Sequence, residues 1–153
     1  MTHDTIAAVC NTPSLPADDR ETPRPHPNKH GAHHIRSLMV DDDKNILNFV
    51  AHMLAMLGCQ KVETARKKPD VMNKLTIGPY DLVVTDLEMP DINGYNLTHT
   101  IKKEAPDIKV IIMTGRPEQD CLEMMASRLV DGWLFKPFGL KELRSKMEGL
   151  GLA

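Results

Sequence analysis

Asp41, Asp42 and Asp43 stand in a row directly after the apolar run Leu38-Met39-Val40, and Asp86 follows Leu82-Val83-Val84-Thr85. Thr114 follows Val110-Ile111-Ile112-Met113, and Lys136 follows Gly132-Trp133-Leu134-Phe135. If these run ends meet in space, three or more carboxylates share one site and repel one another strongly. A hard divalent cation is the economical compensation. Magnesium takes oxygen ligands, keeps several waters, and usually binds one or two carboxylates plus a phosphate. With a cation and an ammonium group neutralising the transferring oxygens, a carboxylate such as Asp86 can accept a phosphoryl group and form an aspartyl-phosphate. The hydroxyl of Thr114 is able to donate to a phosphoryl oxygen. Buried charges persist only when paired or functional, so a purely structural role for Asp41, Asp42, Asp86 and Lys136 together is the weaker account.

Placing these groups requires strands that alternate with helices, and the hydrophobic pattern supplies them. Short apolar runs at Ile35–Val40, Lys61–Thr64, Leu82–Thr85, Lys109–Met113 and Gly132–Phe135 predict five strands. Helices are expected over Lys44–Leu57, Pro69–Ile77, Asn96–Glu104, Glu118–Leu129 and Gly139–Glu148. The first carries Ile46, Leu47, Phe49, Val50, Met53, Leu54 and Leu57 on one stripe, with Asp43 as its cap and Gly58 as its stop. Regular alternation implies right-handed crossovers and a parallel sheet covered on both faces. In such an open sheet, ligands bind beyond the carboxyl ends of the strands, which is where the polar residues fall.

Composition narrows the remaining classes. The 153 residues favour one domain, with 41% hydrophobic residues to fill its core and a formal charge of −2. That balance argues against a nucleic-acid footprint, which needs clustered Lys and Arg. Aromatics are scarce at 4% and Met abundant at 10 residues, so aliphatic and thioether packing is expected. Cys10, Cys59 and Cys121 show no CxxC spacing, which fits free thiols in a reducing cytoplasm. No apolar run approaches membrane-spanning length, and Met1–Cys10 lacks the order of a secretion signal. Residues 1–34, with five prolines and a His30, His33, His34 cluster, read as a disordered tail; residues 35–153 read as the folded domain.

The pieces Leu38-Met39-Val40-Asp41-Asp42-Asp43, Thr85-Asp86-Leu87-Glu88-Met89-Pro90 with Gly94, Ile112-Met113-Thr114-Gly115 and Phe135-Lys136-Pro137-Phe138 resemble the receiver domain of two-component response regulators. The resemblance implies a flavodoxin-like, CheY-like sheet of strand order 2-1-3-4-5 with five helices. It makes Asp86 the phosphoacceptor and Asp41, Asp42, Asp86 and the backbone carbonyl of Glu88 the Mg2+ ligands. Thr114 becomes the switch hydroxyl, Lys136 the phosphate-pairing lysine, and Trp133 the aromatic rotamer switch turned inward by phosphorylation. Pro137 is expected to follow a cis peptide bond. Glu88 and Arg116 occupy the positions that tune hydrolysis of the acyl phosphate, and an ion pair between them predicts slow-to-moderate self-dephosphorylation.

The implied partners are a sensor histidine kinase or a histidine phosphotransfer protein as donor, and a downstream protein that reads the face of the fourth helix, fifth strand and fifth helix. No nucleic acid or membrane contact is expected, and the implied setting is a bacterial cytoplasm. The chain stops at Gly149-Leu150-Gly151-Leu152-Ala153, so the expectation is a stand-alone regulator, not an enzyme with an outside substrate. Two departures stand out. The loop after the second strand is Arg66-Lys67-Lys68-Pro69, and Ala126–Asp131 lacks the small Gly-Ala step common in the family. Two rivals remain: a receiver fold that docks partners without phosphorylation, and an aspartate-nucleophile phosphatase of the haloacid dehalogenase type. The latter places its nucleophile after the first strand, which Asp86 does not. His52 and His99 are expected on helix surfaces, Met124-Met125 in the core, and Met89-Pro90 and Gly94 as loop formers.

Overall fold

The computed structural model describes residues 34–153, so the reading of residues 1–33 as a tail lies outside the described residues. The elements run β1 (Arg36–Val40), α1 (Lys44–Met56), β2 (Lys61–Ala65), α2 (Lys68–Ile77), β3 (Leu82–Asp86), α3 (Gly94–Glu104), β4 (Lys109–Thr114), α4 (Leu122–Ala126), β5 (Gly132–Phe135) and α5 (Leu140–Gly149). The strands form one parallel sheet in the order β2-β1-β3-β4-β5. This is the expected doubly wound order.

Because side chains alternate across a strand, β1, β3 and β4 feed two cores. Met39, Leu82, Val84, Ile111 and Met113 face α1 and α5, where Leu47, Val50, Leu54, Leu143 and Met147 meet them. Leu38, Val40, Val83 and Val110 face the other way, onto Val71 of α2 and Leu97 and Ile101 of α3. Both faces are covered by helices, so the central strands read as continuous apolar runs.

Local chemistry sets the helix ends. Asp43 caps α1, accepting from the N–H groups of Asn45 at 2.8 Å and Ile46 at 3.4 Å. Gly58, at φ 96°, ends that helix in the left-handed region. Phe49 is 55% exposed and so lies off the buried stripe to which its spacing had assigned it. Helix α3 begins two residues earlier than expected, because the Asn93 side chain accepts from Tyr95 N–H at 2.8 Å and Asn96 N–H at 3.4 Å.

The largest difference is the fourth helix. In place of one helix over 118–129 there is a 3-10 turn at Glu118–Cys121 and a five-residue α4. Ser127 explains the early stop: its hydroxyl donates to Met124 C=O at 2.7 Å and accepts from Leu129 N–H at 3.3 Å, competing with the helix ladder. Arg128 then turns to φ 55°, where a helix cannot continue. None of the α4 side chains is fully buried; Met124 and Met125 pack partly buried against a third cluster of Leu87, Ile112, Cys121, Val130 and Trp133.

Candidate functional site

The carboxyl ends of β1, β3, β4 and β5 lie side by side because the strands are parallel and in register. Val40 pairs with Thr85, Asp86 with Met113, and Thr114 with Phe135. Asp41, Asp86, Thr114 and Lys136, spread over almost a hundred positions of sequence, therefore share one edge.

Asp86 is held at both carboxylate oxygens. The ammonium of Lys136 donates to Oδ1 at 2.7 Å, and Glu88 N–H donates to Oδ2 at 3.0 Å. Asp41 is held at only one. Its Oδ1 accepts from Asp43 N–H at 2.8 Å, while Oδ2 has no hydrogen-bond partner among the described residues. Lys136 lies 3.9 Å from that oxygen, too far to hydrogen-bond. Burial pushes the Asp41 carboxyl up to about 6, and the negative charges of Asp86 and Asp42 add to the effect against the pull of Asp43 N–H and Lys136. An orphaned carboxylate oxygen beside a second carboxylate is the position that a cation would relieve. The donor set is all oxygen, which suits magnesium. No three side chains of His, Cys, Asp or Glu converge as a metal cluster among the described residues, so a cation here would complete its shell with backbone oxygen, water and phosphoryl oxygen.

The other candidates take distinct places. Thr114 is buried, and its Oγ1 accepts from Arg116 N–H at 3.0 Å, leaving the hydroxyl proton free to donate. Asp42 is exposed at the rim. Glu88 and Arg116 meet as an ion pair across the mouth, with Arg116 Nε 2.9 Å from Glu88 Oε1. Trp133 is 7% exposed and stacked on Phe135 at 6.5 Å; it already sits inward. The Lys136–Pro137 peptide bond is cis.

Two features were missed in the sequence. Gly94 opens α3 directly against the phosphoacceptor candidate: a Cβ there would lie 2.2 Å from the Asp86 carbonyl oxygen. Gly94 thus shapes more than a loop. Arg66 donates through Nε at 3.2 Å and Nη2 at 2.9 Å to the Asp42 carbonyl. The pairing of Val40 with Ala65 carried the signal, since it sets the residue after β2 beside the acids after β1.

A parallel sheet of this order with an acid pair, a central Asp, a Thr and a Lys at its carboxyl edge is the arrangement that the receiver resemblance implied. Residues 38–148 match the family model of the response regulator receiver domain, and the chain belongs to that family. It is 37% identical over 111 residues to the DNA-binding transcriptional regulator NtrC of Azospirillum brasilense, covering 72% of this chain and 23% of that protein. It is 31% identical over 120 residues to the probable transcriptional regulator ycf27 of Cyanidium caldarium, covering 77% of this chain and 46% of that one. The chain therefore spans less than half the length of either relative. Among solved structures, the response regulator TrrA of Thermotoga maritima in complex with Mg2+-BeF superposes with a TM-score of 0.67 at 32% identity, over 76% of this chain and 98% of that one. The BeF3-activated receiver domain of DrrB gives 0.68 at 28% identity, over 78% of this chain and 98% of that one. No helix among the described residues is long and apolar enough to cross a membrane.

Proposed function

We propose that this receiver domain works as a phosphorylation switch, with Asp86 accepting the phosphoryl group from a histidine kinase or a histidine phosphotransfer protein. The observation that carries the reading is Asp86 gripped by Lys136 beside the half-satisfied Asp41. Asp41, Asp86 and the carbonyl of Glu88 would hold Mg2+, and the carboxylate of Asp42 would turn in from the rim to join them. A bound magnesium ion would supply positive charge against the transferring oxygens. An Asp86 oxygen attacks phosphorus in line; the new O–P bond forms as the P–N bond to the donor imidazole breaks, and the ring, protonated beforehand on its other nitrogen, leaves as neutral imidazole with the bonding electron pair. Lys136 follows the charge from carboxylate to phosphoryl oxygen, and Thr114 donates its hydroxyl proton to a second oxygen.

Thr114 moves toward the phosphate, and the inward position of Trp133 is favoured over outward alternatives. The face of α4, β5 and α5 then changes its affinity for a downstream protein, as a shift between preexisting arrangements. The Glu88–Arg116 pair shields the attacking water and slows hydrolysis. The domain turns over no outside substrate, contacts neither nucleic acid nor membrane, and acts in a bacterial cytoplasm.

The test is labelling with acetyl phosphate or a competent histidine kinase in the presence of Mg2+. The native chain takes up alkali-labile phosphate and Asp86→Asn takes up none. Equal labelling of both, or hydrolysis of p-nitrophenyl phosphate with turnover, ends the proposal.

A further inference from the structure

We infer that Arg66 is a positioning residue for the cation site, one that clamps the acidic loop from outside; the inference rests on the phosphoacceptor reading above. The loop after β1 is tied down at three points. Asp41 N–H donates to Ala65 C=O at 3.2 Å, Asp43 N–H donates to Asp41 Oδ1 at 2.8 Å, and the Arg66 guanidinium makes its two bonds to Asp42 C=O. The first two fix Asp41. Asp42 is exposed, and the peptide unit that carries its carbonyl is held from both sides: Asp43 N–H donates to Asp41 Oδ1, and the fork of Arg66 makes the only hydrogen bonds to the oxygen among the described residues.

Arg66 makes no ion pair among the described residues; it is committed to a neutral carbonyl within a patch that continues into Lys67 and Lys68. A planar guanidinium can aim two converging N–H groups, Nε–H and Nη2–H, at one oxygen in a fixed plane, which an ammonium cannot do in the same geometry. Groups that orient a metal ligand typically change metal affinity about 10- to 100-fold when removed. Exposure to water puts Arg66 at or below the low end of that range. The charge alone predicts the opposite sign, because a fixed cation near the site repels an incoming one. The two accounts therefore separate cleanly.

The experiment is a Mg2+ titration of the full chain followed by backbone amide shifts in NMR, with thermal stability measured in parallel. Arg66→Ala binds Mg2+ roughly 5- to 10-fold more weakly than the native chain. Its melting temperature without metal stays within a degree or two, and its labelling rate at saturating Mg2+ is close to native. Arg66→Lys falls between the two. Unchanged or tighter Mg2+ binding by Arg66→Ala overturns the inference while leaving the phosphoacceptor reading intact. A native chain that shows no Mg2+-dependent shifts around Asp41 and Asp86 overturns both.

Discussion

At the amino ends of the strands, Asp81 accepts from Arg36 N–H at 2.8 Å and faces the Arg36 guanidinium at 3.4 Å. Asp131 accepts from Val110 N–H at 2.8 Å, and Lys102 closes on it at 2.6 Å while Lys109 stands at 3.8 Å. At the carboxyl ends of the same strands, Asp41 keeps a buried oxygen with no hydrogen-bond partner among the described residues, and Lys136 is shared unequally between two acids. Both edges carry acids in similar backbone settings. The difference is completion: one edge is closed by its own cations and amides, whereas the other is left short of positive charge. Acids that are fully partnered hold strands together, and acids left short are available to a ligand.

Removing an acid should therefore have opposite consequences at the two edges, whereas crowding the site is costly. The largest effect is expected at Gly94, where Gly94→Ala sets a methyl group against the Asp86 carbonyl and forces α3 or the Asp86 backbone to move. A loss of about 3 kcal/mol by chemical denaturation is expected, with labelling of Asp86 falling in parallel. Next comes Asp41→Asn, which should stabilise the metal-free chain. The folded pKa of about 6 lies above the unfolded value of 3.8, so the contribution of Asp41 is fully present below about pH 4 and lost as pH rises through 6. At pH 7 the variant should gain roughly 2 kcal/mol over native, with the difference vanishing near pH 4, and Mg2+ should no longer raise its melting temperature.

At the opposite edge, Asp131→Ala should cost about 1.5–2 kcal/mol, with no change in Mg2+ affinity. A stabilising Asp131→Ala would break the comparison. Smallest in stability is the charge inversion Glu88→Lys with Arg116→Glu, since exposed pairs contribute little to folding. Its effect belongs to kinetics: decay of the phosphorylated form should change, and an unchanged rate removes the shielding role.

The strand-end residues were legible because a parallel sheet converts sequence order into spatial order: each apolar run announces its own end, and Asp41, Asp86, Thr114 and Lys136 sit at those ends. The strand boundaries came out within a residue or so for the same reason. What escaped was set by contacts between loops. Nothing in Arg66-Lys67-Lys68-Pro69 announces that the first of these cations bonds a carbonyl in another loop. Gly94 read as a turn former, because the close approach of α3 to Asp86 depends on how the helix packs. The fourth helix failed for a local reason: the apolar spacing continued to Leu129, but Ser127 and Arg128 end the helix through side-chain competition and a left-handed turn. Phe49 matched the α1 periodicity and still faces outward, since Leu47, Val50, Met53 and Leu54 already fill the contact with the sheet.

The brevity of α4 has an energetic corollary. Five residues fall well short of the length at which a helix sustains itself in water, and neither Met124 nor Met125 is driven fully inside. Its shape is thus borrowed from neighbours: the Tyr95 hydroxyl, 2.9 Å from Ser127 Oγ, and the apolar wall around Trp133. Such a segment exchanges its amides early and repacks for little work. On the phosphorylation reading proposed above, an element this lightly held is the one that a bias of a few kcal/mol at the sheet edge would redirect first.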